Sequence, residues 1–172
     1  MPWGTSEKTN RGSVRSPIKD KNMAHTYSQL LAHIVFAVKG REHVIPSFFR
    51  EDLERYIAGY ARNKGTKLLA VYCNPDHTHI LLGYKPNLVL SDFVKDLKVS
   101  TNKYVNQSLV LAGKFNWQEG YGVFSCCPSN LQSVISYIRN QASHHNNKGF
   151  KVEYKELLEA AGVPFDEEYL FD

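Results

Sequence analysis

Residues 67–84, KLLAVYCNPDHTHILLGY, read as two apolar strands, Lys67–Cys73 and His77–Tyr84, joined by Asn74-Pro75-Asp76. Asn and Asp side chains bond their own backbone and Pro presets φ, so this triplet between two hydrophobic runs predicts an antiparallel hairpin. On the second strand Thr78, Ile80 and Leu82 take one face, with an apolar trend suited to the core, while His77 and His79 project together to the other. Two imidazoles on one strand face are a candidate cation site. A His-x-His also arises on strands by chance, and either ring can be an ordinary hydrogen-bonded residue.

The flanking segments alternate in period. Upstream, 26–38 (TYSQLLAHIVFAV) reads as a long strand, and Pro46–Lys64 carries Phe49, Leu53, Ile57 and Tyr60 at helical spacing after the opening signal Pro46-Ser47. Downstream, 90–107 is a helix with Phe93, Leu97 and Tyr104 inward, Trp117–Phe124 a strand, 129–145 a third helix and 153–161 a short final one. The order β-α-β-β-α-β defines an α+β chain of the ferredoxin-like, split βαβ plan: an antiparallel sheet with helices on one face and an additional C-terminal helix. The other face is expected to be open, with both imidazoles on it or at its rim. This plan hosts many functions, so the site must decide.

Composition sets the frame. With 172 residues, 42% hydrophobic and 22% charged, the chain can bury one ordinary core and is not a disordered polymer. One domain is expected over 23–172, with 1–22 (MPWGTSEKTNRGSVRSPIKDKN) a polar tail or upstream extension and Met23 a candidate start. A formal charge of +4 is compatible with a polyanionic partner without requiring one. No apolar run approaches the ~20 residues of a membrane span and the amino terminus lacks a hydrophobic signal core, so a cytoplasmic location is expected. Cys73, Cys126 and Cys127 have no Cys-x-x-Cys spacing and read as reduced packing residues, Cys73 being separated from His77 by the turn.

The third helix supplies a second signal. Leu131, Val134, Ile135, Ile138 and Ala142 form its apolar stripe, and Tyr137, Gln141 and His144 lie together on the flank. A flank tyrosine more often covers the core margin with its hydroxyl in water. If this flank meets the histidine face, however, two imidazoles and a side-chain amide can hold a cation that polarises a phosphodiester while Tyr137 attacks phosphorus. A phosphotyrosine ester keeps the phosphorus activated, so a later 3′-hydroxyl can rejoin strands. No Walker-type loop is present and no nucleotide cofactor is needed.

Taken together, Pro75-Asp76-His77-Thr78-His79-Ile80-Leu81-Leu82, Gly120-Tyr121-Gly122-Val123-Phe124-Ser125 and Tyr137-Ile138-Arg139-Asn140-Gln141 with His144-His145 resemble the single-tyrosine HUH transposases of the insertion sequence 200/605 family, from about Tyr27 to Asp172. The resemblance implies that His77, His79 and Gln141 bind a divalent metal ion, Mg²⁺ or Mn²⁺, and that Tyr137 forms a 5′-phosphotyrosine link. It further implies a homodimer that cuts single-stranded DNA at hairpin ends and can complete each site with the partner's tyrosine helix. Thr78 departs from the bulky hydrophobic residue the family favours there, but it is β-branched and strand-compatible. Two imidazoles alone would equally suit zinc, nickel or copper; only the resemblance selects a hard ion.

Softer candidates for DNA contact are Lys95, Lys98 and Lys103 on the second helix, Arg139 beside the tyrosine, Trp117 and Tyr121 as stacking surfaces, and His144. Each has a bland alternative: a solvated helix face, a core aromatic, or a histidine near a helix carboxyl end. Alternatives to a mobile transposase are an HUH enzyme domesticated to cut repeat hairpins, a rolling-circle-type nickase, and a non-catalytic nucleic-acid-binding module. The joint presence of His77, His79, Tyr137 and Gln141 argues against the last.

Overall fold

The computed structural model describes residues 27–40, 45–109, 113–145 and 149–171, the side chains of 144 and 145 excepted. The tail expected over 1–22 lies outside the described residues. The elements follow the expected order: β1 (Leu30–Ala37), α1 (Arg50–Asn63), β2 (Lys67–Cys73), β3 (His77–Tyr84), α2 (Leu90–Ser108), β4 (Gly122–Ser125), α3 (Leu131–Arg139), α4 (Gln141–His145) and α5 (Phe150–Ala160). The strands form one sheet, β2-β3-β1-β4, with every neighbouring pair antiparallel. This is the ferredoxin-like α+β arrangement.

The main core lies between one sheet face and the helices α1 and α2. Ile34 and Phe36 from β1 and Ile80 and Leu82 from β3 meet Leu53 and Ile57 of α1 and Leu97 of α2. Helix α1 carries Glu51 and Asp52 in its first turn and Arg62 in its last, charges that suit the helix dipole. It ends at Gly65, whose φ of 69° allows the amides of Gly65 and Thr66 to bond back to Arg62 and Ala61.

The structure departs from the sequence expectation in three places. The strand expected over Trp117–Phe124 is reduced to Gly122–Ser125, with Trp117 keeping only an isolated bridge to Val38; Gly120 intervenes at φ 72° and breaks the extended run. The helix expected over 129–145 is split at Asn140 into α3 and α4. The sheet face expected to be open is covered: α3 packs Ile138 on Ala70 and Leu81, and α5 packs Phe150 and Leu158 on Val35, Ala37 and Phe124. No helix among the described residues is long and apolar enough to cross a membrane.

Gly122 sets how closely α5 approaches the sheet. A Cβ added there would lie 2.9 Å from Tyr154 and 3.0 Å from the Phe124 ring, inside the contact limit, with Tyr154 itself stacked on Phe150. Gly122→Ala should therefore displace α5 and lower stability by about 1–3 kcal/mol. A shift of the urea midpoint at constant slope would show it; an unchanged midpoint would contradict the close approach.

Candidate active site

Strand alternation puts His77 and His79 on the face opposite the main core, fully buried beneath α3 and α5, while Thr78, Ile80 and Leu82 face the other way. The turn before β3 does more than reverse the chain, since Asn74 is buried and its side chain enters the same space as that of Asp76. Neighbouring β1 contributes His33 from its site-facing side. Tyr137 comes from α3, Gln141 from the start of α4 and Glu153 from α5.

Around the histidines the polar atoms are nearly all accounted for. His77 Nδ1 donates to Asp76 Oδ1 at 2.7 Å, and its Nε2 accepts from Asn74 Nδ2 at 2.9 Å. His79 Nδ1 lies 3.0 Å from His33 Nε2, the two rings being stacked at 5.2 Å. Glu153 Oε1 accepts from Gln141 Nε2 at 2.7 Å and from the Tyr137 hydroxyl. Gln141 Oε1 accepts from Asn74 Nδ2 at 3.1 Å. The break at Asn140 leaves Tyr137 and Gln141 on one site, because both reach the same carboxylate oxygen.

Electrostatics follow from this burial. Desolvation pushes the His33 pKa down to about 3, with neighbouring His79 adding to the effect. Desolvation also lowers His79. For His77 burial opposes the charged form, but Asp76 and Glu153 outweigh it and raise the pKa. Burial likewise opposes ionisation of Glu153, yet the adjoining His77 and His79 rings and the Tyr137 hydroxyl hold it below the usual carboxylate range. Tyr137 is raised, first by burial and then by its bond to Glu153.

The donor set suits a divalent cation. Ligand-capable atoms of His77, His79 and Glu153 all lie within 4.8 Å of one another. The outer nitrogen of each ring is held, by Asp76 and by His33, as second-shell partners hold metal-binding histidines. The inner His79 Nε2 is buried with no hydrogen-bond partner. Such an orphaned atom is costly in a closed protein interior and is what a cation would satisfy.

Other residues singled out from sequence are not gathered here. Lys95, Lys98 and Lys103 belong to α2, across the sheet from the histidines. Lys98 is half-buried and donates to the backbone oxygens of Gln118 and Gly120 at 2.7 and 2.5 Å, closing the loop before β4. Trp117 is 5% exposed, packs edge-on against Phe36 and Phe115, and donates to Thr101, leaving no open ring face for a base. Tyr121 is exposed, with Lys98 Nζ 5.9 Å from its ring centre. Arg139 is exposed on the tyrosine helix, and the side chain of His144 lies outside the described residues. Cys73 is buried in the main core, where desolvation pushes its thiol pKa up. His33, Asn74 and Glu153, by contrast, were not among the sequence candidates.

His33 and His79 bind a proton less readily folded than unfolded, so below about pH 6.5 the unfolded chain takes up protons that the folded chain refuses. Stability should therefore fall as pH drops from 6.5 toward about 3. Glu153 acts in the same sense at lower pH, and His77 in the opposite sense. His33→Gln removes one titrating ring while keeping a polar contact to His79, and should flatten that slope by up to ~1.4 kcal/mol per pH unit. Denaturant midpoints measured across this range would test it; equal slopes would contradict the neutral, buried His33.

Comparison with known proteins places the chain in a family. The family model "Transposase IS200 like" matches residues 26–141. The ISDra2 transposase TnpA of Deinococcus radiodurans is 26% identical over 126 residues, 70% of this chain and 89% of that protein. A transposase for insertion sequence element IS200 from Salmonella typhimurium is 28% identical over 127 residues, 71% of this chain and 83% of that protein. Among solved structures, a transposase from Deinococcus radiodurans superposes with a TM-score of 0.56 at 27% identity, covering 70% of this chain and 97% of that one. A REP-associated tyrosine transposase bound to a REP hairpin shares the fold, with a TM-score of 0.55 at 13% identity over 72% of this chain and 73% of that one. The family model spans most of the chain, from β1 to Gln141, and the chain belongs to the IS200-like transposases of the insertion sequence 200/605 family, DNA-cleaving enzymes.

Proposed function

We propose that this transposase cuts and rejoins single-stranded DNA at hairpin-marked element ends through a 5′-phosphotyrosine at Tyr137, with His77, His79 and Gln141 holding Mg²⁺ or Mn²⁺. The observation that carries the reading is the shared carboxylate: Glu153 accepts the Tyr137 hydroxyl and lies 3.4 Å from the Nε2 atoms of both His77 and His79. Nucleophile and candidate cation ligands thus meet at one point, which a non-catalytic binding module has no need of.

The steps assigned to the chain's own residues are few. Asp76 and His33 hold the two imidazoles with their Nε2 atoms toward Glu153. Tyr137 presents its oxygen from α3, and Glu153 Oε1, already its acceptor, takes the phenolic proton as the oxygen attacks phosphorus. The bond to phosphorus forms as the bond to the 3′-oxygen breaks, and that oxygen takes a proton from water to leave as a 3′-hydroxyl. Rejoining is the reverse, with a 3′-hydroxyl displacing the tyrosine. A bound divalent cation supplies charge stabilisation on the phosphate oxygens. Acting on bacterial DNA, the enzyme works in the cytoplasm as a homodimer. A domesticated cutter of repeat hairpins would use the same residues, and inverted repeats beside the gene would tell the two apart.

With a single-stranded hairpin substrate and Mg²⁺ or Mn²⁺, the protein should form a denaturant-resistant adduct that peptide mapping places on Tyr137, and a chelator should abolish it. Tyr137→Phe should fold and bind the hairpin without forming it. Attachment at Tyr121 or Tyr104, or undiminished cutting in chelator, would overturn the assignment. Sedimentation should give twice the chain mass. Mixed dimers of Tyr137→Phe and His77→Ala chains should recover activity if the tyrosine helix acts across the dimer, and recover none if each site is built within one chain.

A further inference from the structure

We propose that Glu153, on α5 beyond the stretch that matches the family model, is the charged ligand of the cation site, so that one carboxylate joins the ion to the nucleophile. This rests on the metal-dependent reading above and adds to it a ligand from this chain's own C-terminal helix.

The geometry is that of co-ligands rather than of hydrogen-bond partners. Glu153 Oε2 is 3.4 Å from His77 Nε2, and Oε1 is 3.4 Å from His79 Nε2. That is longer than a good N–H···O bond of about 2.7–3.2 Å. Nitrogen and oxygen ligands each ~2.1 Å from one ion stand roughly 3.0 Å apart in an octahedron and 3.4 Å in a tetrahedron. Both separations therefore suit neighbours on one coordination shell, and the unbonded His79 Nε2 points to the same conclusion.

Charge and packing agree. Glu153 is 6% exposed, and its two oxygens face the Nε2 atoms of His77 and His79. A carboxylate this deeply buried depends on charge and hydrogen-bond partners, and a divalent ion held between it and the two imidazoles would be one more. Its position is fixed on both sides, with Phe150 on the His77 ring at 4.5 Å and Tyr154 against Gly122. Gln141 can offer Oε1 to the same ion while its Nε2 keeps the bond to Glu153. A hard anionic oxygen added to two imidazoles also shifts preference from zinc or copper toward Mn²⁺ and Mg²⁺.

The test is Mn²⁺ titration of the full chain, followed by the electron paramagnetic resonance of free ion, with circular dichroism to confirm folding. Glu153→Gln preserves shape and an acceptor for Tyr137 but removes the charge, and it should weaken Mn²⁺ binding by about tenfold or more while weakening Zn²⁺ less. Glu153→Ala should do the same and serves if the glutamine variant misfolds. Wild-type Mn²⁺ affinity in both folded variants, with binding lost in His77→Ala, would overturn the role of Glu153 and leave the metal-dependent reading standing. No Mn²⁺ binding by the wild type would overturn both.

Discussion

The structure turns on one buried carboxylate. Glu153 reaches from α5 to the underside of the sheet and meets Tyr137, Gln141, His77 and His79 within a few ångströms. Polar groups in such a place are tolerated only when they satisfy one another. Much of the rest of this face serves that requirement: Asp76 and His33 take up the outer ring nitrogens, Asn74 bridges His77 and Gln141, and apolar contacts of α3 and α5 on either side exclude water. The same closure raises the Tyr137 pKa, so the phenol is held protonated until something accepts its proton.

The two sheet faces divide the labour. One carries the main core with α1 and α2 and is ordinary hydrophobic packing; the other carries the buried polar cluster of His77, His79, Gln141 and Glu153 under α3 and α5. Lys98 illustrates the division. Its amine, pushed down to about 8 by desolvation, closes the loop before β4 on the structural side rather than standing free for phosphate. Trp117 is likewise committed to the core.

Much of this was legible in the residues. Period-2 and period-3.6 hydrophobicity located β1, β2, β3, α1 and α2, though it began β4 several residues too early and fused α3 with α4, and the Asn74-Pro75-Asp76 turn with alternation along β3 placed both histidines on the face away from the main core. What stayed hidden was non-local. Glu153 lies in a short helix among other charged residues, where a solvated face is the ordinary expectation, and only the docking of α5 through Phe150 and Tyr154 turns it inward. His33 left a faint mark: a polar residue in the apolar run of β1, in step with Leu31, Val35 and Ala37. Asn74 looked like turn chemistry because turn propensity explains an asparagine fully. The break at Asn140 had no periodic signature, and Gln141 still reaches the carboxylate oxygen that Tyr137 reaches.

On the proposed assignment His77, His79 and Glu153 converge on one divalent ion beside Tyr137. The most direct measurement is anomalous X-ray diffraction from crystals soaked in Mn²⁺. A single strong peak is expected within about 2.0–2.3 Å of His77 Nε2, His79 Nε2 and a Glu153 oxygen, with Tyr137 adjoining it. A peak bound by the histidines while Glu153 points away, or one lying elsewhere on the protein, would contradict it.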